Sequence, residues 1–228
     1  MLVLPYVTLN VAMTLDGKTD TTKRKGALIS SDLDVERVDQ LRASNDAIMV
    51  GGHTLLGDDP RLTIKSHSLR EDRITRGLEP NPKKVGIISI ADLEQDCRFL
   101  NHGPSEIIVF TTNQTEVGKI SELQDQGVKV FVNSGTRVDL INALEQLFHL
   151  GVNHLLVEGG GTLNEELFRL NLINEINVYI GPLIFGGSTA PTFADGIGFA
   201  QENAKQLELR SLKQYDDGGV VLQYTLRK

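Results

Sequence analysis

With 228 residues, 40% of them apolar, the chain is long enough to bury the core of one large domain or two small ones. Lys plus Arg number 23 against 30 Asp plus Glu, and the net charge of -7 opposes broad attraction to nucleic acid or to anionic membranes. The single cysteine, Cys97, excludes an internal disulfide and a zinc ribbon, and no apolar run approaches the roughly 20 residues of a membrane helix, so a soluble cytoplasmic protein is expected.

Apolar runs alternate with helical patterns, which predicts an α/β fold with a mainly parallel sheet. A strand over Tyr6 to Val11, a helix over Leu33 to Ala43 and a strand over Ala47 to Val50 make one βαβ unit, with Ser30 or Ser31 as the helix cap. The polar stretch Ser66 to Pro82 holds six Arg, Glu or Asp residues and two prolines, and reads as a long surface loop rather than a domain boundary. Strands follow over Lys84 to Ile90, Glu106 to Thr111 and Val128 to Val132, with a helix at Glu116 to Gln126 before the last. Asp139 to Leu150 is amphipathic, carrying Leu140, Ala143, Leu144, Leu147 and Phe148 on one face. His154 to Val157 is predicted as a strand, Leu163 to Leu170 as a helix and Ile176 to Ile180 as a strand. Gln206 to Ser211 and Val220 to Leu226, joined around Asp217-Gly218-Gly219, have the pattern of a hairpin at an antiparallel C-terminal edge. One domain, 1–228, is expected.

Three segments carry candidate chemistry. Glu158-Gly159-Gly160-Gly161-Thr162 leads a strand into a helix N-terminus, where unpaired N–H groups and the helix dipole favour an anion such as phosphate. A turn that needs positive φ and binds nothing is the alternative. Neither common phosphate fingerprint is present: no Lys-Ser/Thr follows, and Asn164 occupies the place of the last glycine of G-x-G-x-x-G. The second segment, Met49 to Thr63, again follows a strand and holds Gly51, Gly52, Thr54 and the polar turn Asp58-Asp59-Pro60-Arg61, which also reads as a solvated turn. The third, Thr8 to Thr19, ends a strand at Met13 and turns through Leu15-Asp16-Gly17-Lys18, which a hairpin-like turn explains without a ligand. The five histidines lack HExxH spacing and no G-x-S-x-G elbow occurs, so no built-in metal is expected. The pattern suits cofactor chemistry, in which a bound molecule carries the reactive electrons.

Taken together, Pro5 to Lys18, Leu41-Arg42-Ala43, Gly51 to Thr63, Glu158 to Asn164 and Ile180 to Gly187 resemble the reductase family of riboflavin biosynthesis, in its free-standing form without a deaminase domain. The resemblance implies a dihydrofolate-reductase-like fold, NADPH as cofactor with NADH possible, and a homodimer. It implies reduction of the ribosylamino group of 2,5-diamino-6-ribosylamino-4(3H)-pyrimidinone 5′-phosphate to ribitylamino. By similarity, Thr54, Asp58, Ser89 and Gly160-Gly161-Thr162-Leu163 hold the cofactor, with the backbone near Met13, while Asn10, Ser30, Arg42, Leu62, Lys65 and Glu158 line the substrate. Arg42 and Lys65 pair with its phosphate, and Glu158 is the catalytic carboxylate that favours an iminium.

Asn10 stands where bacterial fused relatives tend to carry Lys; an asparagine can accept as well as donate, which favours the diamino substrate. The chain departs from many relatives at Ser89-Ile90-Ala91, which leaves the NADPH over NADH choice open, and near Gly26, Ala27 and Leu28, where polar groups are missing. The alternatives are reduction of the deaminated 5-amino-6-(5-phosphoribosylamino)uracil, a pterin-type reductase of the same fold, and a non-catalytic nucleotide-binding module.

Overall fold

The computed structural model describes residues 3–227. Its contacts divide into two compact units, residues 39–156 with the N-terminal residues to Pro5, and residues 6–38 with 157–227.

The first unit holds β2 (Ala47–Gly51), β3 (Lys83–Ile87), β4 (Ile107–Thr112), β5 (Lys129–Asn133) and β6 (His154–Val157), in the order β5-β4-β3-β2-β6. The β2–β3, β3–β4 and β4–β5 pairs are parallel, as continuous apolar strands flanked by helices require. Ile48, Val50, Leu55, Phe99, Val109, Leu123 and Leu156 form its core. Helix α6 (Leu140–His149) starts where Asp139 accepts the backbone N–H groups of Ile141 and Asn142, and buries Leu140, Ala143, Leu144 and Leu147; Phe148 is only half-buried.

The second unit holds β1 (Tyr6–Thr14), α1 (Asp32–Ser44, which continues into the first unit's residues), α7 (Gly161–Arg169), β7 (Glu175–Gly181), β8 (Leu207–Gln214) and β9 (Val220–Leu226). Its strand order is β1-β7-β9-β8, with β1–β7 parallel and β7–β9 and β8–β9 antiparallel. The strand pairing is therefore mixed and mostly parallel, and the C-terminal hairpin is antiparallel, as its Asp-Gly-Gly turn predicts.

The predicted surface loop Ser66 to Pro82 is corrected by helix α3 (His67–Thr75). Ser66 Oγ caps it by accepting from Leu69 N, and its buried face is carried by a charge. Arg73 is buried and donates to the carbonyls of Ala43, Asn45 and Glu79, so the apolar periodicity that betrays a helix is missing. Helix α2 (Gly52–Asp58), the short α4 (Arg98–Asn101) and a 3-10 turn at Gln201–Asn203 were likewise not expected; α5 (Val117–Asp125) was.

A second buried cation ties β3 to α4. Lys84, fully buried in β3, donates from Nζ to the carbonyls of Phe99 (2.9 Å) and His102 (2.6 Å), which end α4. Burial pushes its pKa down from 10.5 to about 8. The unfolded chain therefore holds this proton more tightly between those two values, and the Lys84 contribution to stability grows as pH rises through the window. The stability margin of wild type over Lys84→Met is expected to be about 1–2 kcal/mol larger at pH 9.5 than at pH 7. Paired thermal melts check this, and an equal margin at both pH values contradicts it.

Candidate active site

In the first unit, Gly51 of β2 and Ile87 of β3 are register partners, so the residues that follow them leave the same edge of a parallel sheet. That carboxyl edge is where open α/β sheets bind ligands. Thr54 lies half-buried in α2, whose N-cap Gly51 offers no side-chain hydrogen bond to the helix's first turn. Past β3, Ser89 is half-buried, and its carbonyl accepts from the hydroxyl of Thr112 (2.7 Å) and from Thr112 N (3.3 Å).

The turn after α2 is tightly held. Asp59 adopts the left-handed conformation (φ 43°), and so does Leu62 (φ 48°), an arrangement non-glycine residues keep only when their surroundings impose it. Here the Asp59 carboxylate accepts Arg98 N at 2.8 Å and Phe99 N at 2.9 Å, capping α4, while Arg98 Nη2 donates to the Asp58 carbonyl at 2.6 Å. Burial alone would raise the Asp59 pKa; those backbone donors and the Arg98 guanidinium bring it below the usual carboxylate value. Downstream, Asp39 of α1 accepts Lys65 N (2.8 Å) and Ser66 N (2.6 Å), and Arg42 donates to the Thr63 carbonyl at 2.8 Å. Arg42, half-buried in α1, is thereby held against the segment that carries the exposed Lys65. Leu62 is 1% exposed and belongs to the core, so it presents almost no surface to a ligand.

The second unit resumes at Val157, the last residue of β6, and the chain passes through half-buried Glu158 into the glycine turn. Gly159 has φ +93°, and the Gly159–Gly160 peptide is cis. Gly160 is the N-cap of α7 and gives its first turn no side-chain acceptor, leaving backbone donors of the kind that hold an anion. A Cβ on Gly159 would meet a single atom, Asn164 Nδ2 at 4.0 Å, although Gly159 itself is buried. Gly161 is different: a Cβ there would lie 2.6 Å from both Asp195 Oδ2 and the Thr192 carbonyl. The chain itself occupies this side of the turn. Asp195 N donates to the Gly161 carbonyl (3.0 Å), and Asn164 Nδ2 to the Phe193 carbonyl (2.7 Å). Thr162 is exposed and Leu163 buried, so Leu163 can offer only its backbone.

Asn10 and Ser30 belong to one polar chain in this unit. Ser30 donates to Asp34 Oδ2 (2.5 Å), Arg37 Nε to Asp34 Oδ1 (2.8 Å), and Arg37 Nη2 to Asn10 Oδ1 (2.9 Å). Asp34 and Arg37 were not anticipated; an acidic first helical turn usually signals only the helix dipole. Met13 is half-buried near the end of β1. The following turn is fixed by Gly17 (φ 78°) and by Asp16, whose carboxylate accepts Phe185 N and Gly186 N. Among the described residues no cluster of His, Cys, Asp or Glu is arranged to hold a metal ion, and no helix is long and apolar enough to cross a membrane.

The two kinds of glycine separate experimentally. Gly161→Ala is expected to cost about 1–3 kcal/mol through overpacking against Asp195 and Thr192. Gly57→Ala in α2, where a Cβ meets nothing within 4 Å, is expected to be neutral or to stabilise by up to about 1 kcal/mol. Chemical denaturation of both variants checks this, and an unperturbed Gly161→Ala protein would contradict the packing role.

Residues 5–221 match the model of the RibD C-terminal domain. A 2,5-diamino-6-ribosylamino-4(3H)-pyrimidinone 5′-phosphate reductase from Archaeoglobus fulgidus is 41% identical over 217 residues, covering 95% of this chain and 96% of the relative. Among solved structures, a pyrimidine reductase-like protein from Corynebacterium diphtheriae superposes with TM-score 0.85 at 18% identity, covering 98% of this chain and 92% of the other. A dihydrofolate reductase from Enterococcus faecalis does so with TM-score 0.52 at 12% identity, covering 98% and 97%, which identifies the fold as dihydrofolate-reductase-like. The chain belongs to the RibD C-terminal domain family.

Proposed function

We propose that this protein is the NADPH-dependent reductase that converts the ribosylamino group of 2,5-diamino-6-ribosylamino-4(3H)-pyrimidinone 5′-phosphate to ribitylamino. The observation that carries this reading is the nearly end-to-end likeness to the Archaeoglobus enzyme. The local chemistry supports it: an uncapped glycine-rich helix start suits a diphosphate, and Arg42 and Lys65 suit a monoester phosphate.

A reduced nicotinamide supplies a hydride when bound. On this reading the substrate's ribose opens to an imine; C1′ accepts the hydride and the imine nitrogen ends protonated, giving the open-chain ribityl product. Glu158 favours the iminium electrostatically, and the protein's larger contribution is to orient two reactants. Backbone N–H groups at Gly160, Gly161, Thr162 and Leu163 hold the diphosphate. Thr54, Ser89 and the backbone near Met13 hold the remainder of the cofactor. Asp58 suits its hydroxyl donors, because a carboxylate repels phosphate. Ser30, whose proton is given to Asp34, serves the substrate as an acceptor. The two compact units act as one functional domain, and the protein works as a cytoplasmic homodimer.

Absorbance at 340 nm is expected to fall when the diamino pyrimidine is added with NADPH, and more slowly with NADH. Arg42→Ala is expected to raise KM for the phosphorylated substrate roughly 10–100-fold, the range for a hydrogen bond to a charged group. Unchanged turnover in that variant would favour a reductase of an unphosphorylated heterocycle such as a pterin. No oxidation with either pyrimidine would leave a nucleotide-binding module.

A further inference from the structure

The amide of Asn10 has a fixed polarity. A guanidinium has five N–H donors and no acceptor, so the Asn10 atom 2.9 Å from Arg37 Nη2 must be its oxygen. The Arg37 side chain cannot swing away easily. Its Nε and Nη2 both rest on Asp34 Oδ1, at 2.8 and 2.7 Å, and Asp34 is fully buried with its other oxygen bound by Ser30. Asn10 is itself 6% exposed, in the middle of β1, where its neighbour in register is Asn177 of β7. Turning the amide over would put an NH2 group against a guanidinium inside the protein, which leaves two buried donors facing each other.

We infer that the Asp34–Arg37 pair is a specificity-determining device that locks Asn10 so that it offers substrate an N–H donor and not an acceptor. This rests on the proposed reductase reading, in which Asn10 faces the pyrimidine, and it reverses the expectation that Asn10 accepts a hydrogen bond from the substrate's amino group. The ring atom read by Asn10 is then an oxo group or an unprotonated ring nitrogen, and any preference for the diamino compound is set elsewhere. Arg37 and Asp34 are positioning residues, acting through Asn10.

Two variants separate the alternatives. Asn10→Asp keeps an oxygen for Arg37 but has no N–H to give. It is expected to raise KM for both the diamino pyrimidine and its deaminated counterpart at least 10-fold, with KM for NADPH unchanged. An Asn10→Asp enzyme that handles the diamino compound as wild type does would overturn the inference. The paired change Asp34→Asn with Arg37→Met removes both charges together, so no lone buried ion remains. Freed to rotate, the amide is expected to shift the ratio of kcat/KM values several-fold toward the diamino compound, whereas a merely structural pair would lower both values together and leave the ratio in place. The lock can also be read without turnover. The Asn10 side-chain amide should give one well-resolved pair of NMR signals in the native protein and averaged signals in the double variant, and identical spectra would refute the lock even if the wild type reduced neither pyrimidine.

Discussion

Carboxylate oxygens accepting backbone N–H groups hold the irregular segments of this protein in place. Asp20 takes the amides of Thr21, Gly26 and Ala27; Asp39 those of Lys65 and Ser66; Asp46 those of Asn153 and His154; Asp59 those of Arg98 and Phe99; and Asp16 those of Phe185 and Gly186. A charged acceptor makes a stronger hydrogen bond than a neutral one, and one carboxylate can serve two or three donors. Loops lack a ladder of their own, so these carboxylates satisfy part of their backbone. Part of the acidic excess behind the net charge of -7 therefore has a structural use in fixing loops.

The same constraint governs the glycine turn before α7. Helix starts attract anions, and Asp195 already lies against the Gly161 side of this one. Two negative groups cannot share one position, so on the proposed reading a diphosphate lies away from the Asp195 side of the turn. The segment that supplies Asp195 also fixes Asn164 through the Phe193 carbonyl and continues to Phe199, on whose ring Arg169 and Lys205 rest. The turn is thus prepared by protein contacts along most of α7 before any ligand is considered.

Much of the fold was legible because strands and amphipathic helices write their burial into the chain. The apolar runs at Ala47, Ile107 and His154 and the periodic face of α6 could be assigned within a few residues. Helix α3 was hidden because its buried face is an arginine. The site was legible as positions but less so as geometry. Glycine at 161 signalled close approach, yet the approaching atoms belong to Thr192 and Asp195, far along the chain. Leu62 was expected to line the substrate, and its side chain points into the core. The two donor and acceptor ends of Asn10 were equivalent on paper until Arg37, 27 residues away, fixed which end is committed. Residue type gives a chemical capacity; a distant partner decides which part of that capacity is exposed.

The central claim is chemical: a hydride passes from a nicotinamide to C1′ of a phosphorylated ribosylaminopyrimidine. Turnover with NADPH carrying deuterium at C4 of the nicotinamide tests it most directly. The account predicts, from the appropriately labelled face, one deuterium in the product, located at C1′ of the ribityl chain by NMR. Product lacking deuterium with cofactor labelled on either face, or labelled at another carbon, would contradict it.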